Sequence, residues 1–268
     1  MKIEINERST DIAQGTRLHQ LQEQVKPGAD LVILNGFPVS ADQLLAEGDR
    51  VVFIRRGEQP GADELEALMA ARHTPGVHAK IKRATVGIAG CGGLGSAVAI
   101  ALARIGVGHL VIADFDVVEP SNLNRQQYFV DQIGLPKVEA LHENLARINP
   151  YVRITRHFER LTPDNIPDRF GRVDVMVEAF DGADQKAMLA QTFLSRVPGK
   201  ALVMGSGMAG FGPSNTVVTQ RAASNLYLVG DGETAARPGE GLMAPRVGIA
   251  AHHQANAVLR LLLGEIPA

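Results

Sequence analysis

Apolar and polar positions follow two different rhythms along the chain, and the change comes near residue 57. Before it, KIEIN alternates residue by residue, TRLHQLQEQV sets Leu18, Leu21 and Val25 on one helical face, and LVILN and RVVFIRR are short apolar runs of strand type. Asn35-Gly36, between those runs, is a strong turn signal. These segments predict a small module of strand, helix and strand over residues 1–57, and a linker over 58–63 within GEQPGADE. The second domain is expected over 64–268. It opens with a helix, ELEALMAAR, and the strand TVGIAG, after which apolar runs (HLVIAD, VRITR, VDVMVEAF, ALVMG) alternate with amphipathic stretches such as KVEALHENLARIN. That alternation predicts a parallel sheet with helices on both faces. PRVGIAAHHQANAVLRLLLGE closes the chain as a proline-started helix apolar enough to pack on the sheet.

Composition narrows the class. With 268 residues and 45% hydrophobic content, the chain supports one large core and a small satellite domain. A formal net charge of -2 supplies no field that would gather nucleic acid or an anionic membrane. MKIEINERST lacks the basic-then-apolar pattern of a secretory signal, and no run of about 18 apolar residues is present, so the reading is a cytoplasmic protein without a membrane span. The single cysteine, Cys91, excludes an internal disulfide and a multi-cysteine metal cluster, and it reads as a small residue filling a tight turn.

That turn is the centre of the chemistry. GCGGLG over 90–95 satisfies G-x-G-x-x-G, in which absent side chains let backbone amides and a helix N-terminus approach phosphate oxygens. Asp114, at the end of the next strand, is placed to accept from ribose hydroxyls. These features fit a dinucleotide as well as ATP. The polar stretch DFDVVEPSNLNRQQYF, followed by GLPKVEA, adds Arg125 and Lys137, the cations a triphosphate needs and a nicotinamide cofactor does not.

GCGGLGS, the DFDVVEPSNLNRQ run and the lysine after a short gap together closely resemble the adenylating domain shared by ThiF, MoeB and the ubiquitin-activating enzymes. EAFDGAD (178–184) resembles that family's acidic turn, and GLMAPRVGIAA (241–251) its last helix, so the resemblance runs from about residue 64 to the C-terminus. It is closest to ThiF forms with an N-terminal extension similar to ThiS, and residues 1–57 resemble that β-grasp module. The fold it implies is α/β, a Rossmann-like doubly wound sheet, preceded by a small α+β β-grasp domain. The implied activity is ATP-dependent adenylylation of the C-terminal glycine carboxylate of a ThiS-like sulfur carrier, with release of pyrophosphate, in thiamine biosynthesis.

Carried over by the resemblance, Gly90, Gly92, Gly93 and Gly95 line the phosphates and Asp114 holds the ribose. Asn122, Arg125 and Lys137 hold the polyphosphate, Asp181 binds magnesium, and Arg72 is the arginine supplied from the neighbouring subunit of a homodimer. Asp116 and Glu119 are read as a solvated or capping pair, Asp184 as a helix cap or second metal ligand, and His252 and His253 as satisfied histidines on a buried helix. GSGMAGFG (205–212) is read as a mobile loop beside the substrate tail, or a glycine-rich turn with no role. The chain departs from many relatives in lacking two C-x-x-C pairs, so no zinc is expected, and in lacking any cysteine after Cys91, so the chemistry stops at the adenylate. The N-terminal module has no free Gly-Gly end, which leaves the carrier to arrive in trans. The alternatives are a tRNA threonylcarbamoyl-adenosine dehydratase of the same fold, which the net charge disfavours, an NAD-binding oxidoreductase, and a noncatalytic scaffold.

Overall fold

A computed structural model describes residues 1–267. The chain divides into two compact units, Met1–Thr74 and Pro75–Ala268. The first is a five-stranded sheet crossed by one helix. Its elements are β1 (Lys2–Ile5), β2 (Arg8–Asp11), α1 (Leu18–Val25), β3 (Leu31–Leu34), β4 (Phe37–Val39), β5 (Arg50–Ile54) and α2 (Ala62–Ala70), and its strand order is β2-β1-β5-β3-β4. Two strands, β2 and β4, were not anticipated: one is the polar RSTD and the other, FPV, contains a proline, so neither carries the apolar alternation of a half-buried strand. Both are edge strands in two-residue hairpins whose central residues, Asn6-Glu7 and Asn35-Gly36, take positive φ as a type I′ turn requires. Leu18 and Leu21 of α1 bury with Ile3, Ile5, Val51 and Phe53, as the spacing predicts, whereas Val25, set on the same face, is exposed at the end of the helix.

The first unit extends past the expected boundary at 58–63. Lys26 Nζ pairs with Glu58 and Glu64, each at 3.4 Å, Arg8 Nη2 donates to the Asp63 carbonyl and Arg72 Nη2 pairs with Glu7 Oε1 at 3.0 Å. The helix expected to open the second domain is therefore bound to the first by charge, which apolar periodicity does not report.

The second unit is the expected doubly wound sheet. It comprises α3 (Val77–Ile81), β6 (Thr85–Ala89), α4 (Gly93–Arg104), β7 (His109–Asp114), α5 (Lys137–Ile148), β8 (Arg153–Phe158), α6 (Ile166–Phe170), β9 (Val175–Glu178), α7 (Ala183–Arg196), β10 (Ala201–Gly205), β11 (Val218–Ala223), β12 (Leu226–Gly230) and α8 (Ala244–Leu263). The sheet order is β11-β12-β10-β9-β6-β7-β8, parallel except for the unanticipated edge strand β11. Read from β8 to β12, this is the 3-2-1-4-5-6 order of dinucleotide-type folds, in which the crevice forms where the order reverses, here between β6 and β9. Alternate residues of each central strand enter opposite cores. Leu110 and Ile112 meet α4, α5 and α8, whereas Val111 and Ala113 meet α6 and α7, so the strands are apolar throughout.

The closing helix α8 is amphipathic rather than buried all round. Val247, Ala250, Ala251, Gln254 and Val258 face inward, His252 is exposed with Nδ1 against the Gly248 carbonyl, and His253 meets the Thr219 hydroxyl. Its first turn carries Arg246, almost fully buried, which donates to the Gly212 and Pro213 carbonyls, the Thr216 hydroxyl and Asp231 Oδ2 at 2.6 Å. Asp231 also accepts from the Glu233 and Thr234 amides and the Thr234 hydroxyl. Gly207 has no room for a side chain beside that carboxylate and sits at φ +80°. The glycine-rich loop is anchored on one side, where Met208 and Ala209 are buried, while Phe211 is 92% exposed at its tip. Among the described residues no helix is long and apolar enough to cross a membrane.

Burial pushes the Asp231 carboxyl up, but the Thr234, Glu233 and Arg246 donors outweigh it and hold the group well below the usual carboxylate range. A depressed folded-state pKa stabilises above the unfolded value, about 3.9, and that contribution fades as pH falls below it. Replacing Arg246 with Leu is expected to cost about 3 kcal/mol in urea denaturation at neutral pH, because it strands a buried carboxylate. The difference between wild type and Asp231→Asn should shrink steadily as the same titration is repeated below about pH 4.

Candidate functional site

The glycine turn is built by close approach. Gly90 takes φ +92° with its Cα against the Ala179 carbonyl at the end of β9, and Gly95 lies so near the Gly90 carbonyl that a Cβ would collide with it. These contacts bring β6, the first turn of α4 and the end of β9 to one point. Gly93 is closed off by Val247 and by the Arg125 side chain, whose Cγ would stand 3.4 Å from an added Cβ. Gly92 differs: nothing stands nearer than 3.8 Å, and its φ is -75°. It is the N-cap of α4 and offers no side-chain cap, so the first amides of a twelve-residue helix are open to an anion.

Asp114 closes the turn from β7. Its Oδ2 accepts from the Cys91 amide at 2.6 Å and its Oδ1 from the Asp116 amide at 2.8 Å. Burial pushes its carboxyl up, and these amides and Lys137 oppose that. Tyr128 donates its hydroxyl to the Cys91 carbonyl, and Ser96 donates to the Gly92 carbonyl, each at 2.6 Å. Cys91 is fully buried, and burial, reinforced by the Asp114 charge, drives its thiol well above the ordinary value. A thiol of this kind is no nucleophile at neutral pH.

Beyond Asp114 the chain turns through a short 3-10 helix, Pro120–Asn124, capped where the Glu119 amide donates to Asn122 Oδ1. The capping reading of Glu119 therefore matches, whereas Asp116 is engaged: its Oδ2 accepts from Lys137 Nζ at 2.8 Å. Lys137 is buried at the first residue of α5. Arg125 has no carboxylate partner. Only its Nη1 is used, toward Asn124 Oδ1 at 2.8 Å and the Ser121 carbonyl at 3.3 Å, which leaves Nε and Nη2 free for a bidentate anion contact.

Asp181 follows two residues after the Ala179 carbonyl that touches Gly90, and it is exposed without a hydrogen-bond partner. The turn that carries it is braced from below. Glu178, fully buried, accepts from the Phe180 amide and from Lys186 Nζ at 2.9 and 3.0 Å, and Lys186 continues to the Gly205 carbonyl. Burial pushes the Glu178 carboxyl up and the lysine opposes it. Gln254 Nε2 donates to the Glu178 carbonyl. Among the described residues no group of three or more His, Cys, Asp and Glu side chains could hold a metal ion. A magnesium ion held mainly by substrate phosphates needs only one or two carboxylates, and Asp181 and Asp184 are exposed carboxylates three residues apart that could supply them.

The crevice therefore gathers Gly90, Gly92, Gly93, Gly95, Asp114, Asn122, Arg125, Lys137 and Asp181 from four separate segments of the chain. Arg72 lies in the other compact unit, an exposed side chain on Glu7. Sequence reasoning did not find Glu178 with Lys186, Asp231 with Arg246, or Gln126, which flanks the glycine turn. The two ion pairs come together only through the fold, and the place of Gln126 beside Gly92 is likewise set by the fold. Gly95→Ala is expected to lower the thermal midpoint by several degrees through its clash with the Gly90 carbonyl, whereas Gly92→Ala should melt with the wild type.

Comparison with known proteins agrees with this geometry. The ThiF family model matches residues 66–268, and the ThiS-like ubiquitin model matches residues 1–57. The chain is 35% identical over 188 residues to the molybdopterin-synthase adenylyltransferase of Salmonella typhimurium, covering 68% of this chain and 74% of that one. It is 38% identical over 119 residues to ubiquitin-like modifier-activating enzyme 5 of Caenorhabditis elegans, covering 40% of this chain and 28% of that one. Among solved structures, the tRNA N6-threonylcarbamoyladenosine dehydratase TcdA of Escherichia coli in complex with ATP aligns with a TM-score of 0.62 at 25% identity, over 73% of this chain and 92% of that chain. With its glycine turn, its sheet order and a match across most of its length, the chain belongs to the ThiF family and carries a ThiS-like ubiquitin domain at its N-terminus.

Proposed function

We propose that this protein is an adenylyltransferase that uses ATP and magnesium to activate the C-terminal glycine carboxylate of a ThiS-like sulfur carrier. The observation that carries the reading is Arg125, an arginine with two nitrogens free among the described residues, whose side chain lies against Gly93 at the open N-terminus of α4. The segments around the same turn carry the buried Lys137 and the exposed Asp181. A dinucleotide carries two phosphates and leaves those three side chains without a joint purpose, whereas a triphosphate uses all of them. Relatives named as adenylyltransferases support the reaction class, and the ThiS-like domain supports thiazole formation as the pathway.

The reaction is one displacement. A carboxylate oxygen of the carrier bonds to the α-phosphorus of ATP, the bond from that phosphorus to the bridging oxygen breaks, and the electron pair leaves with pyrophosphate. The chain supplies no nucleophile; it positions groups and neutralises charge. The amides at Gly92 and Gly93 receive phosphate oxygens, Arg125 takes two of them at once, and Asp114 offers its remaining acceptor capacity to the ribose. Asn122 fixes the segment that bears Arg125. Lys137 exchanges part of its contact with Asp116 for the polyphosphate. Asp181 would hold magnesium, which would supply neutralisation of the triphosphate.

The carrier is a separate protein in this scheme. In the N-terminal unit, the stretch after β5 runs on into α2 and is tied down by Arg55 to the Pro27 and Gly28 carbonyls, by the Arg56 amide to Asp30 and by the Lys26 ion pairs. Its carboxyl end is consumed in a peptide bond and held in place. A homodimer in which Arg72 of one copy serves the crevice of the other completes the proposal, with cytoplasmic localisation. Cys91 is buried and does not serve sulfur transfer.

A second reading, action on tRNA, draws on the likeness to TcdA. ATP–pyrophosphate exchange separates the two. Exchange is expected only when magnesium and a ThiS-type protein ending in Gly-Gly are both present, and Arg125→Ala and Asp181→Ala should each lower it by at least about a hundredfold. A protein that binds ATP yet shows no exchange with any carrier, and consumes ATP with modified tRNA, would replace the proposal with the second reading.

A further inference from the structure

Around the glycine turn almost every polar side chain is already committed. Ser96 spans the Gly92 carbonyl and the Gln127 amide, Tyr128 holds the Cys91 carbonyl, Asn122 caps the 3-10 helix, and both oxygens of Asp114 accept backbone amides. Gln126 is the exception. Its side chain is only 7% exposed, yet Oε1 is buried with no partner and Nε2 donates to no protein group. The orphaned atom, Oε1, is an acceptor whose unbonded burial costs about 1–3 kcal/mol, and Nε2 is the end of the amide with donor capacity to spare.

The position of Nε2 identifies what that is. It lies 3.8 Å from where a Cβ on Gly92 would stand, at the open, uncapped N-terminus of α4. A donor aimed at a helix N-terminus does not complement the amides already there, because both carry partial positive charge. Together they complement one anionic oxygen placed between them. The neighbouring Arg125 approaches the same turn through Gly93, so the two consecutive residues reach the first turn of α4 at adjacent glycines.

We infer that Gln126 is a further phosphate contact of this site, its Nε2 donating to an oxygen of the nucleotide polyphosphate seated on the N-terminus of α4. The inference rests on the ATP reading given above and adds a residue to it. Being neutral, the amide fixes the orientation of the phosphate without adding to the charge that Arg125 and Lys137 supply. Its contribution to affinity is therefore insensitive to salt, unlike theirs.

The test pairs nucleotide affinity with ligand-free stability, using the full-length protein. ATP binding is measured by titration calorimetry at low and high salt for wild type, Gln126→Leu and Gln126→Glu, and each protein is melted without nucleotide. Gln126→Leu is expected to bind ATP about tenfold to a hundredfold more weakly at both salt concentrations, while melting at or above the wild-type midpoint, since it removes an unbonded buried amide. Gln126→Glu should bind more weakly still, through repulsion of the phosphate. Unchanged affinity in both variants would overturn the inference and leave the ATP reading standing. So would a lowered midpoint with affinity lost only in proportion to unfolding, which is the mark of a purely structural residue. A wild-type protein that does not bind ATP would overturn the ATP reading and this inference with it.

Discussion

The Asp114 carboxylate is the joint on which the crevice depends. One oxygen holds the amide that begins the glycine turn after β6, and the other holds the amide that starts the polar stretch after β7. The β6–β7 ladder ends at Ala89 and Ala113 with the Gly90 amide on the Ala113 carbonyl, and the carboxylate carries that pairing one residue further into the turn. From that joint Asp116 sits where it can hold Lys137, the 3-10 helix leads back over the turn, and Arg125 arrives above Gly93. The same carboxylate is assigned to the ribose by family resemblance. Both roles are compatible, since an ionised carboxylate has about four acceptor positions and the protein uses two of them.

Around this joint the fold separates binding from bracing. The side chains left free or singly engaged, Arg125, Asp181 and Gln126, lie at the crevice. Those engaged in ion pairs lie one layer behind. Glu178 with Lys186 fixes the turn that carries Asp181, and Asp231 with Arg246 ties the glycine-rich loop to α8. A buried ion pair adds little net stability over an apolar pair of the same shape, so its use here is geometric: it tolerates one arrangement and no other.

Much of this was legible in the sequence, and the reasons are physical. Strands buried on both faces are apolar without interruption, and a helix over a sheet shows a 3.6-residue stripe, so the doubly wound architecture of the second unit could be read from HLVIAD, ALVMG and KVEALHENLARIN. The positive φ at Asn35-Gly36 is likewise a local demand met by local residues. The strands that escaped, β2, β4, β11 and β12, have exposed faces, a proline, or a position at or beside the sheet edge, where little burial shapes the pattern. The attachment of α2 to the first compact unit was not legible because ion pairs and a hydrogen bond from Lys26, Arg8 and Arg72 make it. Around the crevice, Lys186 and Arg246 escaped because each depends on a partner distant in sequence, and Gln126 escaped although it lies inside the quoted motif, because its neighbour at Gly92 is set by the fold.

The central claim is that the crevice turns a protein carboxylate into an acyl-adenylate. Its most direct test is to trap that product: the full-length protein is incubated with ATP, magnesium, hydroxylamine and a ThiS-type carrier ending in Gly-Gly, and both proteins are weighed by intact mass spectrometry. The account predicts a hydroxamate on the carrier's terminal glycine, dependent on ATP, and no change in the mass of the chain itself. A carrier left unmodified while the protein binds ATP, or a hydroxamate formed on the chain's own residues, would contradict it.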